Sequence, residues 1–96
     1  MRIYLTPQKP VVIAEIFNAL DMNLLAVPAA GATLTVEWSI SSRDDVAAGT
    51  ALWQFWGPGP VSGAPVSAEF DRQISHLRLT ATVGSGVIEY LKLGAI

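Results

Sequence analysis

The side chains best suited to acid–base chemistry are few and scattered along the chain. Asp44 and Asp45 offer adjacent carboxylates, His76 is the single histidine, and Arg78 lies two residues after it. An enzyme built on these groups would need them in one cleft, and nothing in their spacing brings them together. His76 falls on the polar side of an alternating segment, which predicts a surface histidine. Catalysis is therefore the weakest of three functional hypotheses, and no catalytic residue is assigned.

Metal and cofactor binding are also poorly supported by the motifs. Residues 41–45, Ser-Ser-Arg-Asp-Asp, concentrate carboxylates, but a calcium loop needs oxygen ligands at alternating positions, a central glycine and a terminal glutamate. Serine and aspartate satisfy local backbone groups in turns, so this segment is predicted to be a solvated turn. The absence of cysteine removes thiolate ligands and disulfides, and is compatible with a reducing cytoplasm. We expect no metal and no cofactor.

Tryptophans are the side chains most informative about function. The alternation of apolar residues places Trp38 in a core, and Trp53 shares its phase with Phe55, which predicts burial for both. Trp56 has the opposite phase, so burial and an interface role are equally open for it. If Trp53 and Trp56 were exposed together, their rings could stack on sugars. A carbohydrate-binding or other ligand-binding module is therefore the alternative function.

The overall composition describes an ordered protein with apolar surface to cover. Hydrophobic residues make up 51% of the 96 residues and charged residues only 15%, which is apolar for an isolated monomer. Part of the surface is therefore expected to face a partner. Six Lys and Arg are dispersed against eight Asp and Glu, giving a net charge of -2. Nucleic-acid binding needs a clustered positive face, so no nucleic-acid partner is predicted.

No membrane partner is expected either. The longest uncharged stretch, residues 46–68, holds four glycines and three prolines, which a lipid-facing helix would not tolerate. The apolar run near the N-terminus is interrupted by Glu15 and is not followed by a small-residue cleavage site. No signal peptide is predicted on this basis.

Alternating hydrophobicity defines the clearest predicted elements. Residues 33–41 and 76–83 alternate apolar and polar side chains with the period of a half-buried strand. Gly-Ser-Gly at 84–86 supplies residues that tolerate positive φ, and residues 87–93 resume an extended pattern. The two strands on either side of these glycines are predicted to form a hairpin.

The remaining elements are shorter or ambiguous. Residues 51–56 and 66–70 are predicted as short strands. Apolar residues within 10–25 fit a helical face as well as a strand pattern, but many are β-branched or aromatic. We favour two strands here, with a turn at 18–21 and the second strand at 22–27.

These segments predict an all-β fold, a single small β-sandwich or jelly-roll-like domain of about seven short antiparallel strands over residues 1–96. Residues 57–65 hold three glycines and three prolines, which predicts an exposed loop. The predicted core is buried on facing sheets and comprises Leu34, Val36, Trp38, Ile40, Leu77, Leu79 and Ala81.

Several segments carry a family resemblance. They are Asp-Met-Asn-Leu-Leu-Ala-Val at 21–27, Ala-Thr-Leu-Thr-Val-Glu-Trp-Ser-Ile-Ser at 32–41, Gly-Thr-Ala-Leu-Trp at 49–53, Ile-Ser-His-Leu-Arg-Leu-Thr at 74–80 and Gly-Ser-Gly at 84–86. Together they resemble small β-sandwich virion proteins of tailed bacteriophages. The resemblance extends over most of the chain between residues 21 and 93.

This resemblance implies a non-enzymatic component of a phage particle. Its expected roles are a capsid decoration or cement protein, a head-fibre base or a tail accessory module. The implied location is the virion, with synthesis in the cytoplasm of the bacterial host. The implied partners are the chain itself, as a homo-oligomer such as a trimer, and a capsid or tail protein.

The attachment surface is predicted in the segment that starts at Trp56 and continues through the Gly/Pro-rich loop. Prolines restrict the unbound chain and so lower the entropy lost on binding, and aromatic residues are common interface hot spots. A competing interpretation folds Trp56 back as a lid over the end of the sandwich. The residues assigned to the interface are Trp56, Pro58, Pro60, Val61 and Pro65.

Overall fold

The computed structural model describes residues 1–17, 19–70 and 72–95. Within these residues the chain forms nine β-strands and one short α-helix. The strands are Arg2–Leu5 (β1), Val11–Glu15 (β2), Ala19–Pro28 (β3), Thr33–Ser39 (β4), Gln54–Phe55 (β5), Val61–Ser62 (β6), Val66–Phe70 (β7), His76–Val83 (β8) and Gly86–Ala95 (β9). The helix is Arg43–Ala48 (α1).

The strands form two antiparallel sheets. The first has the order β1-β9-β3-β7 and is called the β3 sheet. The second has the order β2-β8-β4-β5, with β6 also paired to β4, and is called the β8 sheet. The predicted all-β sandwich is confirmed.

The core lies between the two sheets and draws on both. The β3 sheet contributes buried side chains from each of its four strands, namely Leu5, Met22, Leu24, Ala26, Phe70, Ile88 and Tyr90. The β8 sheet contributes Leu34, Val36, Val61, Leu77, Leu79 and Ala81. Fully burying one side chain of leucine size stabilises a fold by about 1.5–3 kcal/mol, so this two-sided apolar layer is the main stabilising feature.

The predicted core residues are mostly right, but their arrangement was wrong. β4 and β8 are hydrogen-bonded neighbours in one sheet, with Val36 opposite Leu79, and do not lie on facing sheets. Ile40 is 73% exposed because β4 ends at Ser39 and the alternation no longer applies beyond it. Trp38 packs against the core but is only partly buried.

The predicted hairpin at Gly84–Gly86 does not form. β8 and β9 belong to different sheets, so these residues carry the chain from one sheet to the other. Gly84 has a φ of 73°, in the left-handed region that favours glycine. A Cβ on Gly86 would lie 2.6 Å from Leu34 Cδ1 and 2.9 Å from the Val27 carbonyl oxygen. The glycines are therefore required by a tight crossing between layers.

The ambiguous segment 10–25 forms two strands, as favoured. β2 and β3 enter different sheets, so they are not a hairpin either. β3 already begins at Ala19, which leaves no turn at 19–21, and Asn18 lies outside the described residues. β1 was not predicted, because four residues with one isolated charge give too short a pattern to recognise.

The acidic segment after β4 is a helix and not the predicted turn. The Ser42 hydroxyl accepts a hydrogen bond from the Asp45 N–H at 3.2 Å, which caps the first turn, and Gly49 ends the helix with a φ of 76°. Asp44 and Asp45 lie in the first turn, where negative charge favours the helix dipole. No helix in the described residues is long and apolar enough to cross a membrane.

Candidate interaction surface

The residues assigned to the interface divide between core and surface. Trp56 is only 3% exposed, its backbone N–H donates to the Val36 carbonyl at 3.0 Å, and its ring stacks on Phe70 with 6.3 Å between centroids. Val61 is buried because β6 pairs it with Leu34. The expectation that these two side chains are available to a partner was therefore wrong.

The three prolines of the proposed interface have a different environment. Pro58, Pro60 and Pro65 are exposed, as expected for this loop. The Gly59 N–H donates to the Trp56 carbonyl at 2.9 Å, which closes a turn directly after the buried indole. The residues of the predicted exposed loop over 57–65 are therefore exposed, except for the half-buried Gly59 and for Val61, which is buried in β6.

The phase assigned to Trp53 and Phe55 was also wrong. Phe55 lies opposite Glu37 in the β8 sheet and is 70% exposed on the face turned away from the core. Trp53 is half-buried, and the Arg78 guanidinium carbon lies 4.5 Å from its ring centroid. Since Trp56 is buried, the two indoles do not form the shared flat platform on which the carbohydrate-binding alternative depended.

A partly buried ion pair lies at the centre of this outer face. The Arg78 Nε and Nη2 donate to the two carboxylate oxygens of Glu37 at 3.0 and 2.7 Å. The Arg78 side chain is 33% exposed and the Glu37 side chain 15%. A bidentate contact fixes both side chains, and the Trp53 ring holds the guanidinium from a third direction.

The strand register places these groups in one row across the sheet. Ile13 lies opposite Arg78, Arg78 opposite Glu37, and Glu37 opposite Phe55. The row therefore begins and ends with an exposed apolar side chain and has a fixed charge pair between them. We call Trp53, Phe55, Arg78 and Glu37 the aromatic–ion-pair cluster.

His76 is not the surface histidine that the sequence predicted. It is 2% exposed, and its ring makes a T-shaped contact with the Phe17 ring, with centroids 5.1 Å apart. The Ser75 hydroxyl lies 2.9 Å from His76 Nδ1 and also reaches the carbonyls of Ser39 and Ser41 at 3.0 and 2.7 Å. A hydroxyl has one proton and carbonyls only accept, so the proton of this contact belongs to Nδ1. These hydrogen bonds of Ser75 connect the start of β8 to the end of β4.

The candidate catalytic groups do not form a site. His76 is buried, Arg78 is held by Glu37, and the hydrogen bonds of Asp45 are with Ser42 and Thr50 around α1. Among the described residues, no three histidine or carboxylate side chains are grouped to hold a metal ion. His76, Arg78 and Asp45 thus each contact neighbouring side chains in different parts of the fold and do not meet in one cleft.

The outer face of the β3 sheet carries a second candidate surface. A groove of about 620 Å³ runs past Met1, Leu25 and Leu91, and its walls include Glu69 and Glu89. Leu91 is 62% exposed. Glu89 is paired with Arg2 at 3.3 Å. A partner that covered the groove would have to accommodate this ion pair and the Glu69 carboxylate, which makes the groove a less favourable apolar contact than the face of the β8 sheet.

Comparisons with known proteins identify a similar fold. No family model matches the chain, and no curated protein matches its sequence. Among solved structures, the NLP core of Drosophila superposes with a TM-score of 0.51 and 15% identity, over 96% of this chain and 97% of that chain. That crystal structure gives insight into pentamer formation and histone binding by NLP. At this identity the similarity shows a shared fold alone.

Proposed function

We propose that this chain is a non-enzymatic structural protein that self-associates. It binds the surface of a protein particle, and the aromatic–ion-pair cluster makes that contact with the particle. The observation that carries the proposal is the exposed Phe55 beside a bidentate Arg78–Glu37 pair under Trp53. Tryptophan and arginine are enriched among residues that dominate binding energy at protein interfaces. A surface that joins them to an exposed ring fits that composition.

Preorganisation supports the choice of this face. Binding costs free energy for each rotamer-rich side chain that must be immobilised, about 0.5–1.5 kcal/mol. Arg78 is already held by two hydrogen bonds to Glu37 and by contact with Trp53. The Arg78 side chain is therefore already ordered in the monomer, and a partner that covers the cluster loses little binding free energy to its immobilisation.

Self-association is supported by fold similarity and composition. The NLP core, which has a similar fold, forms pentamers, so this kind of sandwich is compatible with assembly into a closed ring. The exposed apolar side chains on both outer faces give this chain surface to cover. A trimer, the example given with the family resemblance, is one such oligomer; sedimentation velocity measures the number of subunits.

The specific proposal is a capsid decoration or cement protein of a tailed bacteriophage, located in the virion. Its support is the sequence resemblance of residues 21–93 to small virion β-sandwiches. Such a protein uses many copies, so weak individual contacts combine into stable attachment.

The decisive experiment is co-sedimentation of the purified chain with heads of the tailed bacteriophage that this proposal takes as its source. Wild type should pellet with the heads, and Phe55→Ser should raise the dissociation constant for heads by about tenfold or more, because an exposed aromatic hot spot commonly carries about 2 kcal/mol. Leu91→Ser, at a similarly exposed position on the β3 sheet, is the matched control and should bind as wild type does. The proposal fails if wild type does not bind heads, or if both variants bind equally well.

A further inference from the structure

β2 is an edge strand, and the backbone groups on its free side have no hydrogen-bond partner within residues 1–17, 19–70 and 72–95. The Ala81 N–H donates to the Pro10 carbonyl and the Ile16 N–H donates to the Ser75 carbonyl. In an antiparallel strand the backbone N–H and carbonyl groups of every second residue point to the same neighbouring strand. Between Pro10 and Ile16, the residues whose backbone groups point to β8 are therefore 12 and 14. The N–H and carbonyl groups of Val11, Ile13 and Glu15 therefore point away from the sheet.

The other edges of the two sheets are very short or carry a charge and a neighbouring proline; β2 also follows a proline, Pro10, but its first four residues are uncharged. β5 and β6 are two residues long. β1 carries Arg2 and is followed by Pro7, while β7 carries Glu69 and is preceded by Pro65. Short length, charge and proline are the usual devices against edge-to-edge pairing. β2 has three consecutive β-branched residues and a single charge at its end.

We propose that β2 pairs antiparallel with β2 of a second copy, so that the two β8 sheets become one continuous sheet across a two-fold axis. This inference rests on the self-association proposed above and assigns it a two-fold contact, which by itself gives a dimer and not a ring of three or five subunits. The outer side chains of β2 suit the role, since Val11 is 47% exposed and Ile13 45%. In the pair, two copies of each meet on one face of the joined sheet and cover one another.

Charge favours an antiparallel over a parallel arrangement. Lys9 is exposed just before β2, and Glu15 is its last residue. Arg43 Nε contacts Oε1 of Glu15 at 3.0 Å, and within the described part of the chain Oε2 has no partner. A two-fold axis brings Lys9 of each copy to the Glu15 end of the other, whereas parallel strands would align like charges.

The expected affinity is modest. A strand pair of this length, with four apolar side chains above it, is smaller than the interfaces of stable dimers, which bury about 1,200–2,000 Å² in total. The dimer should therefore dissociate on dilution and form readily where many copies share one particle. Because the Lys9–Glu15 contacts are at the solvent-exposed rim, added salt should weaken the dimer.

Sedimentation velocity over a concentration series tests the contact with Ile13→Pro and Ile13→Lys. The Ile13 N–H points away from β8, so proline at this edge position removes the hydrogen bond to the second copy without removing one from the β8 pairing. Lysine keeps the backbone and adds a charge that repels its counterpart. Both variants should raise the dimer dissociation constant by about tenfold or more with an unchanged far-ultraviolet circular dichroism spectrum. Val83→Lys, at an exposed position of the same sheet outside β2, should dimerise as wild type does.

The outcomes separate this inference from the proposed function. Dimers that persist in both Ile13 variants would overturn the β2 contact, while wild-type binding to phage heads would still stand. Phe55→Ser should leave the dimer intact while it weakens head binding. A wild-type chain that remains monomeric at every concentration also overturns the inference. If the β2 amides of such a chain became protected from hydrogen exchange on heads, the strand paired with β2 would belong to another protein.

Discussion

The indole of Trp56 is the largest side chain among the buried residues. It lies parallel to Phe70 of the β3 sheet, with 16° between the ring planes, while its own backbone bonds to β4 of the β8 sheet. The residue therefore links both layers at the end of β5. Its Nε1 is buried and has no hydrogen-bond partner among the described residues, which costs stability in exchange for the ring's packing.

Trp56→Ala should lower the free energy of unfolding by about 3–5 kcal/mol, because it leaves a cavity where a large aromatic ring was packed. Trp56→Phe should lose less, since it keeps a ring against Phe70 and removes the unpaired N–H donor. Urea unfolding of the three proteins measures both values. Equal losses in the two variants would show that stacking on Phe70 contributes nothing.

At the scale of elements, the crossing between β8 and β9 determines how the layers are joined. Leu34 is fully buried and Val27 belongs to β3, so the atoms around Gly86 come from both sheets. The backbone of β9 can start at this point only because Gly86 has no side chain. A single methyl group there would have to displace a core leucine and a strand carbonyl.

Gly86→Ala should therefore destabilise the fold by about 1–3 kcal/mol, the usual cost of forcing an added group into a packed interior. The matched control is Gly57→Ala, because a Cβ at Gly57 would have no heavy atom within 4 Å and its φ is not in the left-handed region. That control should change stability by about 0.5 kcal/mol or less. Thermal or urea unfolding of both variants is the measurement, and similar values for the two would contradict the close approach seen here.

At the scale of the whole molecule, stability depends on keeping the interior uncharged. Tyr90 is a buried member of the core, and burial raises the pKa of its hydroxyl above the usual value of 10.0. Well below pH 10 the phenol is neutral in both the folded and the unfolded chain, and the unfolded chain begins to ionise at about pH 9. As the pH rises from 10 towards the folded-state pKa, only the unfolded chain ionises, so the folded state loses relative stability.

We expect the free energy of unfolding to fall between pH 9 and pH 11, and part of that fall should disappear in Tyr90→Phe. The reason is that phenylalanine keeps the buried ring and has no proton to lose. Urea titrations at the two pH values measure the difference, with Tyr4→Phe, at an exposed ring, as the control for loss of a tyrosine. An unchanged alkaline loss in Tyr90→Phe would show that this hydroxyl is not the group responsible.

The sequence by itself determined the class of the fold and the positions of most strands. Alternation over 33–41 and 76–83 is a local property of the extended chain, since successive side chains point to opposite faces. The same reasoning, with β-branched residues, separated the segment 10–25 into two strands. In the middle of β4 and β8 the buried face was also identified correctly, because one phase is apolar and the other polar; the ends of β8 differ, since His76 is buried and Val83 is exposed.

Only the tertiary structure decided which strands pair and where the surface lies. Trp53 and Trp56 have opposite phases in a segment that is aromatic in both, so alternation distinguishes two faces without saying which one is buried. Pairing of Phe55 with Glu37 resolved the choice and turned Trp56 inwards. His76 has polar neighbours in sequence, yet Phe17, distant along the chain, packs against it. Such contacts depend on the order of strands that are distant in sequence. The residues on either side of a turn do not indicate whether the two strands will pair in one sheet or belong to different sheets.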